Sequence, residues 1–172
     1  MSAPEIYILE QLQTIVVGML EGDDMFVGNQ SANGQPIPII TEEIGDLITE
    51  IDKKVGQTGI CAVVLTPLFE FTNEWVSEEQ AVGIDGLGTI SVGIFENVVL
   101  NQATSGTRIR AISVAQRVLR LLHGQPTGLP DNPANPSHLM GMKRPLQLTN
   151  EGPPLNYSVL FQAHLSLYTP TI

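Results

Sequence analysis

The sequence predicts a single α+β domain over residues 1–172, in which helices pack on one face of a mostly antiparallel sheet. At 172 residues, the chain is large enough to bury about two-thirds of the surface of its unfolded form. Segments with helical and with strand periodicity follow one another in the order α-β-α-β-β-β-α-β-β. The strand–helix–strand unit of about 30 residues that marks a parallel sheet does not recur.

The N-terminal segment predicts a helix and an edge strand. Over residues 5–21, apolar side chains recur at the spacing of a helix with one buried face, and Gly22 ends the pattern. A polar loop follows at 22–35, with an Asn-Gly pair suited to a tight turn. The run Pro-Ile-Pro-Ile-Ile at 36–40 fits a strand at the edge of a sheet, because proline lacks the N–H group that a central strand needs.

A second helix is predicted to follow this strand. Thr41 is suited to cap its N-terminus, and Gly56 is suited to stop it. An apolar stripe between these residues has helical spacing and would face the core. Acids in the first turn and bases in the last turn would complement the helix dipole; they are Glu42, Glu43, Lys53 and Lys54.

Three strands are predicted in the middle of the chain. Residues 59–66 are almost continuously apolar, which is typical of a central strand, and the single cysteine, Cys61, is expected to be buried there. Pro67 separates this run from the alternating segment 68–75. After a polar stretch, residues 89–101 alternate so that one face of the strand is apolar.

The C-terminal part predicts a third helix and a pair of strands. Residues 107–123 form an amphipathic helical pattern. Residues 125–145 contain five of the twelve prolines and are predicted to form an extended surface loop. The segments 146–149 and 157–168 fit an antiparallel pair around a turn.

The turn before the third helix resembles a phosphate-binding loop but lacks the residues that such a loop requires. Its glycine, Gly106, should be preceded by another glycine five positions earlier and followed by lysine, but the chain has Asn101 and Thr107 there. Nucleotide hydrolysis is therefore excluded. The turn is interpreted instead as a helix cap, in which Ser105 or Thr107 accepts hydrogen bonds from free backbone N–H groups.

The sequence lacks a recognisable catalytic or metal-binding pattern. His123, His138 and His164 share no short ligand spacing, and no cysteine lies at a metal-like interval from them. The adjacent acids lie at the ends of predicted elements, where carboxylates are common, and no Gly-x-Ser-x-Gly motif occurs. We therefore expect a protein that is not an enzyme and that needs no cofactor or metal.

Charge is distributed unevenly along the chain. The net charge is −10, but residues 1–100 carry 16 acids and two bases, whereas residues 101–172 carry two acids and six bases. Surfaces of opposite sign suit head-to-tail or stacked assembly, and unequal solvated faces are the alternative. Only 15% of residues are charged and the mean hydropathy is +0.13, which suggests that neighbouring subunits cover apolar surface.

No feature of the sequence indicates a membrane protein. No apolar stretch approaches the ~20 residues that cross a bilayer. The N-terminus lacks a cationic start and carries acids within its apolar run, unlike a signal peptide. The chain is therefore expected to be made in a cytoplasm.

Basic residues of the third helix form the main candidate interface. Arg110, Arg117 and Arg120 fall within an arc of about 80° around the helix axis, opposite its apolar stripe. They could contact DNA phosphates in a channel or carboxylates of a protein partner, and an ordinary solvated face is the alternative. Lys143 and Arg144 are included in the same hypothetical interface.

The predicted strand–turn–helix segment contains short motifs with a family resemblance. They are Glu-Asn-Val-Val-Leu-Asn-Gln at 96–102, Ser-Gly-Thr at 105–107 and Ala-Gln-Arg-Val-Leu-Arg-Leu-Leu-His-Gly at 115–124. Through them and through its element order, most of the chain resembles the small tail-terminator or tail-completion (head–tail joining) proteins of tailed bacteriophages. The resemblance implies a virion protein that forms a ring, usually a hexamer, at the head-proximal end of the tail tube.

Such a ring would stop growth of the tube and present a surface to the neck. Its partners would be copies of itself, tail-tube and neck proteins, and in some tails the sheath, with non-specific contact to DNA in the lumen. Arg110, Arg117 and Arg120 would lie on an inter-subunit or lumen face, and the loops 22–35 and 125–145 would contact neighbouring rings. The alternatives are another neck, connector or tube protein of the same particle, or a small ligand-binding or enzymatic α+β domain.

Overall fold

A seven-stranded sheet with helices on both faces forms the core of the computed structural model. The structure describes residues 7–28, 35–42, 45–71, 85–102, 109–129, 137–151 and 154–166. Within these ranges the helices are α1 (Ile8–Glu21), α2 (Asp24–Val27), α3 (Leu47–Thr58) and α4 (Ala111–Leu122). The strands are β1 (Ile39–Thr41), β2 (Ile60–Val64), β3 (Leu68–Phe71), β4 (Asp85–Glu96), β5 (Gln125–Pro126), β6 (His138–Asn150) and β7 (Leu155–Ser166).

The sheet is mostly antiparallel, with the strand order β1-β2-β4-β7-β6-β5. The central strand β4 pairs with β7 along its whole length, and its other side pairs with β2 and then with β3. Only the β1–β2 pair is parallel among the described strands. The predicted α+β class is therefore confirmed, and the predicted element order is roughly matched, with the short elements α2 and β5 added.

The larger core lies between the sheet and the helices α1 and α4. The alternation predicted for β4 is present, since Ile90, Val92 and Ile94 all point into this core. In the antiparallel register Ile90 lies opposite Phe161 and Val92 lies opposite Val159, so that apolar side chains of β4 and β7 share one face. Two helices and two long strands thus bury their apolar sides together.

The helix α3, which corresponds to the second helix of the sequence prediction, packs on the opposite face of the sheet, which differs from the prediction that helices lie on one face. Cys61 and Val63 of β2 contact Ile51 and Val55 of α3, whereas their neighbours in β2 belong to the larger core. A continuous apolar strand is buried on both faces, so its second face needs a covering helix. Cys61 is buried as expected, and this burial raises the pKa of its thiol to about 12.

The boundaries of α3 also correct the prediction. Thr41 belongs to β1 and does not cap the helix; the cap is Asp46, whose carboxylate accepts a hydrogen bond from Thr49 N (3.3 Å). The helix continues through Gly56 and stops at Gly59, which has φ = 80°. Asparagine, aspartate, serine and threonine all cap helices, so the composition of the segment did not identify the residue used.

The charged residues that were predicted in the first and last turns of this helix lie elsewhere where the structure describes them. Glu42 accepts a hydrogen bond from Thr66 N (3.2 Å), which joins β1 to the end of β2. Lys53 and Lys54 are not in the last turn, and their ammonium groups lie 3.5 and 3.9 Å from the Glu50 carboxylate. The predicted complement to the helix dipole is therefore not present at the C-terminus.

Most of the predicted surface loop at 125–145 is strand where the structure describes it. β5 begins at residue 125 and pairs with the start of β6. β6 includes Lys143 and Arg144, and its pairing with β7 shifts between Gly141 and Leu146. This irregularity accommodates Pro145, because a proline is tolerated at a bulge or at a sheet edge. The proline content therefore concealed the first part of β6, while its pairing with β7 at 146–148 was predicted.

Other predicted boundaries moved by a few residues. β4 ends at Glu96, short of residue 101, and α4 begins at Ala111 instead of 107. The loop 22–35 contains the short helix α2. Several predicted features lie outside the described residues: 5–6, 29–34, Glu43, 72–75, 103–108, 130–136 and 167–168. Along the described ranges, no helix has the length and apolarity needed to cross a membrane.

Candidate subunit-contact surfaces

The turn that follows β4 exposes three consecutive apolar side chains. Val98, Val99 and Leu100 are 39%, 76% and 46% exposed. The Asn97 Oδ1 atom accepts hydrogen bonds from the backbone N–H groups of Val99 (3.0 Å) and Leu100 (3.2 Å), and Asn101 N donates to Asn97 O (2.8 Å). Polar and backbone groups therefore hold the turn in shape, while its apolar side chains point to solvent. We call Val98–Leu100 the apolar turn.

A buried polar cluster anchors this turn to the start of α4. The side chain of Glu96 is fully buried, and its Oε1 accepts hydrogen bonds from Asn101 Nδ2 (2.8 Å) and Arg110 Nε (3.1 Å). Its Oε2 accepts one from the first helical N–H, that of Ala111 (3.0 Å). Asn101 Nδ2 also donates to Ile109 O (2.8 Å). One carboxylate thus fixes the strand end, the turn and the helix start relative to one another.

The first N–H of α4 has a partner that was not predicted from the sequence. Ser105 and Thr107, the expected caps, lie outside the described residues, and the N-terminal N–H of α4 is bonded by a carboxylate 15 positions earlier. A negative charge at this end of a helix is favoured by the helix dipole. The sequence did contain a signal for Glu96, because it continues the apolar face of β4 two positions after Ile94. A carboxylate on such a face requires partners.

A second ion pair joins the N-terminal helices to α4. Arg117 Nη2 lies 2.5 Å from Asp23 Oδ2, and Arg117 Nε lies 3.2 Å from the same atom. Asp23 is buried and also caps α2, accepting a hydrogen bond from Met25 N (3.0 Å). The hydrogen bond from Arg117 lowers the pKa of Asp23 despite its burial, which acts in the opposite direction. Arg117 therefore stabilises the contact between two helical segments.

Three of the five predicted interface residues are free for contacts with other molecules. Arg120, Lys143 and Arg144 are exposed, and none forms an ion pair with another residue in the described ranges. Gly141 N donates to His123 Nδ1 (3.0 Å), which holds the irregular part of β6 against the C-terminal end of α4. Lys143 and Arg144 thus follow, by two and three positions, a residue of β6 that contacts the C-terminal end of α4, near Arg120 in the sequence. We call these three residues the basic corner.

The other two predicted residues, Arg110 and Arg117, have intramolecular partners. Their side chains are 46% and 40% exposed, but each guanidinium pairs with a buried carboxylate of the same chain. The arc seen in the sequence is therefore divided between two internal ion pairs and one free arginine. Whether any of the five residues contacts a neighbouring subunit stays a prediction.

Sequence reasoning did not identify an exposed flank of α3. Ile48 is 73% exposed, and Asp52 lies one helical turn later on the same flank. Asp46 and Glu42 are exposed just before the helix. We call Glu42, Asp46, Ile48 and Asp52 the acidic edge. The helix α3 packs on β1 and β2, and in the strand order these two strands lie on the other side of β4 and β7 from β6.

No family model matches the chain, and no curated protein matches it. Solved structures do match: for one, of a protein whose name states no function, the match covers 92% of this chain and 98% of that chain. The sequence identity is 10% and the TM-score is 0.42, and a likeness of this degree carries no argument about function. In the part of the chain that the structure describes, no group of three His, Cys, Asp or Glu side chains could hold a metal ion.

Replacing Arg117 with glutamine is expected to destabilise the protein at neutral pH and to lose this effect in acid. Because the folded-state pKa of Asp23 is lowered, its ion pair stabilises the fold above the unfolded-state pKa of ~3.9 and stops doing so as the pH falls through the folded-state value. Urea unfolding at pH 7, 4 and 3 measures the difference in free energy of unfolding between the wild type and Arg117→Gln. This difference should be largest at pH 7 and should shrink below about pH 4.

The matched control is Arg120→Gln, which removes an exposed arginine from the same helix without breaking an ion pair among the described residues. Its free energy of unfolding should differ from the wild-type value by less than about 0.5 kcal/mol at each pH. If the free energies of unfolding of the wild type and Arg117→Gln differed by the same amount at every pH, this would contradict the role assigned to the ion pair between Asp23 and Arg117.

Proposed function

We propose that this chain is the subunit of a bacteriophage tail terminator. It would form a ring, usually a hexamer in this family, that stops the tail tube at its head-proximal end and joins it to the neck. Such a protein belongs to the virion, is assembled in the host cytoplasm and acts by shape and charge complementarity. The proposal is supported by the resemblance of residues 96–124 and by the surfaces those residues form.

The observation that carries the proposal is the apolar turn. The motif at 96–102 that gives the resemblance comprises the buried Glu96 anchor and the exposed Val98–Leu100 segment. Contiguous exposed apolar side chains mark surfaces that contact other proteins. Here the turn is held by side-chain and backbone hydrogen bonds, so its exposure does not depend on local unfolding. A preformed apolar surface is suited to repeated docking with a neighbouring protein.

The first test is the mass of the purified protein. Six chains of 18.6 kDa would give about 110 kDa by light scattering, and electron microscopy should show closed rings that do not lengthen with concentration. Filaments that grow without limit would favour the alternative of a tube subunit. A monomer at concentrations where tail proteins assemble would overturn the proposal.

The second part of the test uses the apolar turn. A Val99→Asp, Leu100→Asp variant should fold normally, because both side chains are exposed, but should not bind tubes assembled from the tube protein of the same genome. The control is Leu68→Asp, which adds one negative charge at a side chain 73% exposed in β3, where the test variant adds two. Equal tube binding by both variants would show that the turn does not contact the tube.

A further inference from the structure

We propose that the acidic edge of one copy of this chain docks on the basic corner of the next, so that a ring closes through head-to-tail contacts. This inference rests on the proposed ring and names its inter-subunit contact. The occupant of each surface is thus a second copy of the chain. The argument depends on the position of the two surfaces, on their charge and on the shape of the edge of β6.

The two surfaces belong to elements on opposite sides of the sheet's central strands. In the strand order β1-β2-β4-β7-β6-β5, four strand spacings separate β1 from β6, which corresponds to about 19 Å across the sheet. The screening length at physiological salt is about 8 Å. No carboxylate of the described residues forms an ion pair with the basic corner, so its cations are available to carboxylates of another molecule.

The outer edge of β6 favours contact through side chains. β5 pairs only with His138 and Leu139 of β6, so the rest of this edge has no strand partner within the described ranges. Strand addition is disfavoured there, because Pro145 has no N–H group and the ladder is irregular around it. Lys143 and Arg144 lie at this irregularity, three and four positions after Met140, which is 48% exposed. The corner thus combines cations with an exposed apolar side chain.

The acidic edge has the complementary composition. Ile48 is its apolar member, and its carboxylates, Glu42, Asp46 and Asp52, are exposed at positions before and after Ile48 in the sequence. The nearby cations, Lys53 and Lys54, both lie beside Glu50 and so are partly neutralised within α3. An apolar centre with charged groups at its rim is the usual composition of a protein interface. Lys143 and Arg144 could pair with the carboxylates while Met140 covers Ile48.

The two surfaces differ in sign, so a two-fold dimer that used either one would place like charges together. A contact between two different surfaces is heterologous, and it produces a ring when the rotation between copies closes. A free nucleic acid is a less suitable occupant of the basic corner, because the chain has a net charge of −10. The observations thus favour a second copy over DNA.

Charge reversal on each surface tests the contact. The corner variant is Lys143→Glu, Arg144→Glu, and the edge variant is Glu42→Lys, Asp52→Lys. Each should be monomeric at 18.6 kDa in physiological salt, because like charges then face each other. An equimolar mixture of the two variants should regain the wild-type mass, since each reversed surface finds a reversed partner. Light scattering measures all four samples.

Two further variants keep the result interpretable. Asp52→Lys alone leaves the hydrogen bond between Glu42 and Thr66 intact, so it serves if the double edge variant does not fold. Glu10→Lys, an exposed change on α1, alters the net charge by the same amount as Asp52→Lys and is its control; it should retain the ring.

Three results would overturn the contact. The first is that both charge-reversed variants still form a ring of the wild-type mass; the proposed ring would then remain supported, but its contact would lie elsewhere. A second is the failure of the mixed variants to reassemble. The third is retention of the wild-type protein, but not of the corner variant, on DNA at physiological salt, which would assign the corner to nucleic acid. A monomeric wild-type protein would overturn the proposed function together with this contact.

Discussion

Replacing Glu96 with alanine is expected to lower the free energy of unfolding by about 3 kcal/mol. The carboxylate is fully buried and accepts hydrogen bonds from Asn101, Arg110 and the N–H of Ala111. Its removal leaves a cavity and deprives the first N–H of α4 of its partner. Arg110 can still be hydrated because its side chain is 46% exposed, which keeps the loss near the lower end for a broken buried pair. Urea unfolding monitored by circular dichroism measures the change.

Two variants show whether the charge or only the volume of Glu96 matters. Glu96→Gln conserves the volume but turns one of its acceptors into a donor, and the partners named above are all donors. It should therefore be destabilised by about 2 kcal/mol. Glu10→Ala, an exposed change on α1, should stay within about 0.5 kcal/mol of the wild type. Stability of Glu96→Ala within the same margin would show that the fold does not need the cluster.

The second large effect is expected at Gly59, the residue that ends α3. Its φ of +80° is costly for any residue with a Cβ atom, and a Cβ there would lie 2.7 Å from the Cα of Asn101. The Asn101 backbone belongs to the anchored turn, whose Asn97 N donates to Gly59 O (2.9 Å). Gly59→Ala should therefore lose about 3 kcal/mol, as the sum of backbone strain and displacement of the turn.

Gly124 offers a matched control. Its φ is +79°, but a Cβ atom there would meet nothing within 4 Å. Gly124→Ala should cost only the backbone strain, about 1 kcal/mol. The difference between the two losses in chemical unfolding measures how tightly the turn is docked on the end of α3. If both variants lost the same free energy of unfolding, the turn could move away from the added Cβ atom without destabilising the fold.

Periodicity predicted the elements whose packing is determined by one buried face. The alternation in β4 and β7 and the apolar stripe of α4 depend only on residues close in sequence, and these elements appear within a few residues of their predicted bounds. The first part of β6, residues 138–145, was missed because its pairing with β7 tolerates Pro145 at an irregularity that the sequence does not mark, whereas its end at 146–149 was predicted. The face taken by α3 depends on the second side of β2, which periodicity does not assign.

The candidate contact surfaces were predicted in part. The helical spacing placed three arginines on one arc, but it gave no information on their partners. Asp23 lies 94 positions before Arg117, and no spacing rule connects residues so distant. The acidic edge was missed because Ile48 has the helical spacing of a core residue and is nevertheless 73% exposed. Tertiary contacts decided which charged and apolar residues remained available.

The burial of Cys61 makes the protein convenient for site-specific labelling. It is the single cysteine of the chain, and with its thiol buried and its pKa raised to about 12, it offers almost no thiolate to a reagent at neutral pH. A cysteine introduced on the surface would then be the only reactive one in the folded protein. Fluorescent donors and acceptors placed on different edges of the sheet could report by energy transfer how neighbouring molecules are oriented.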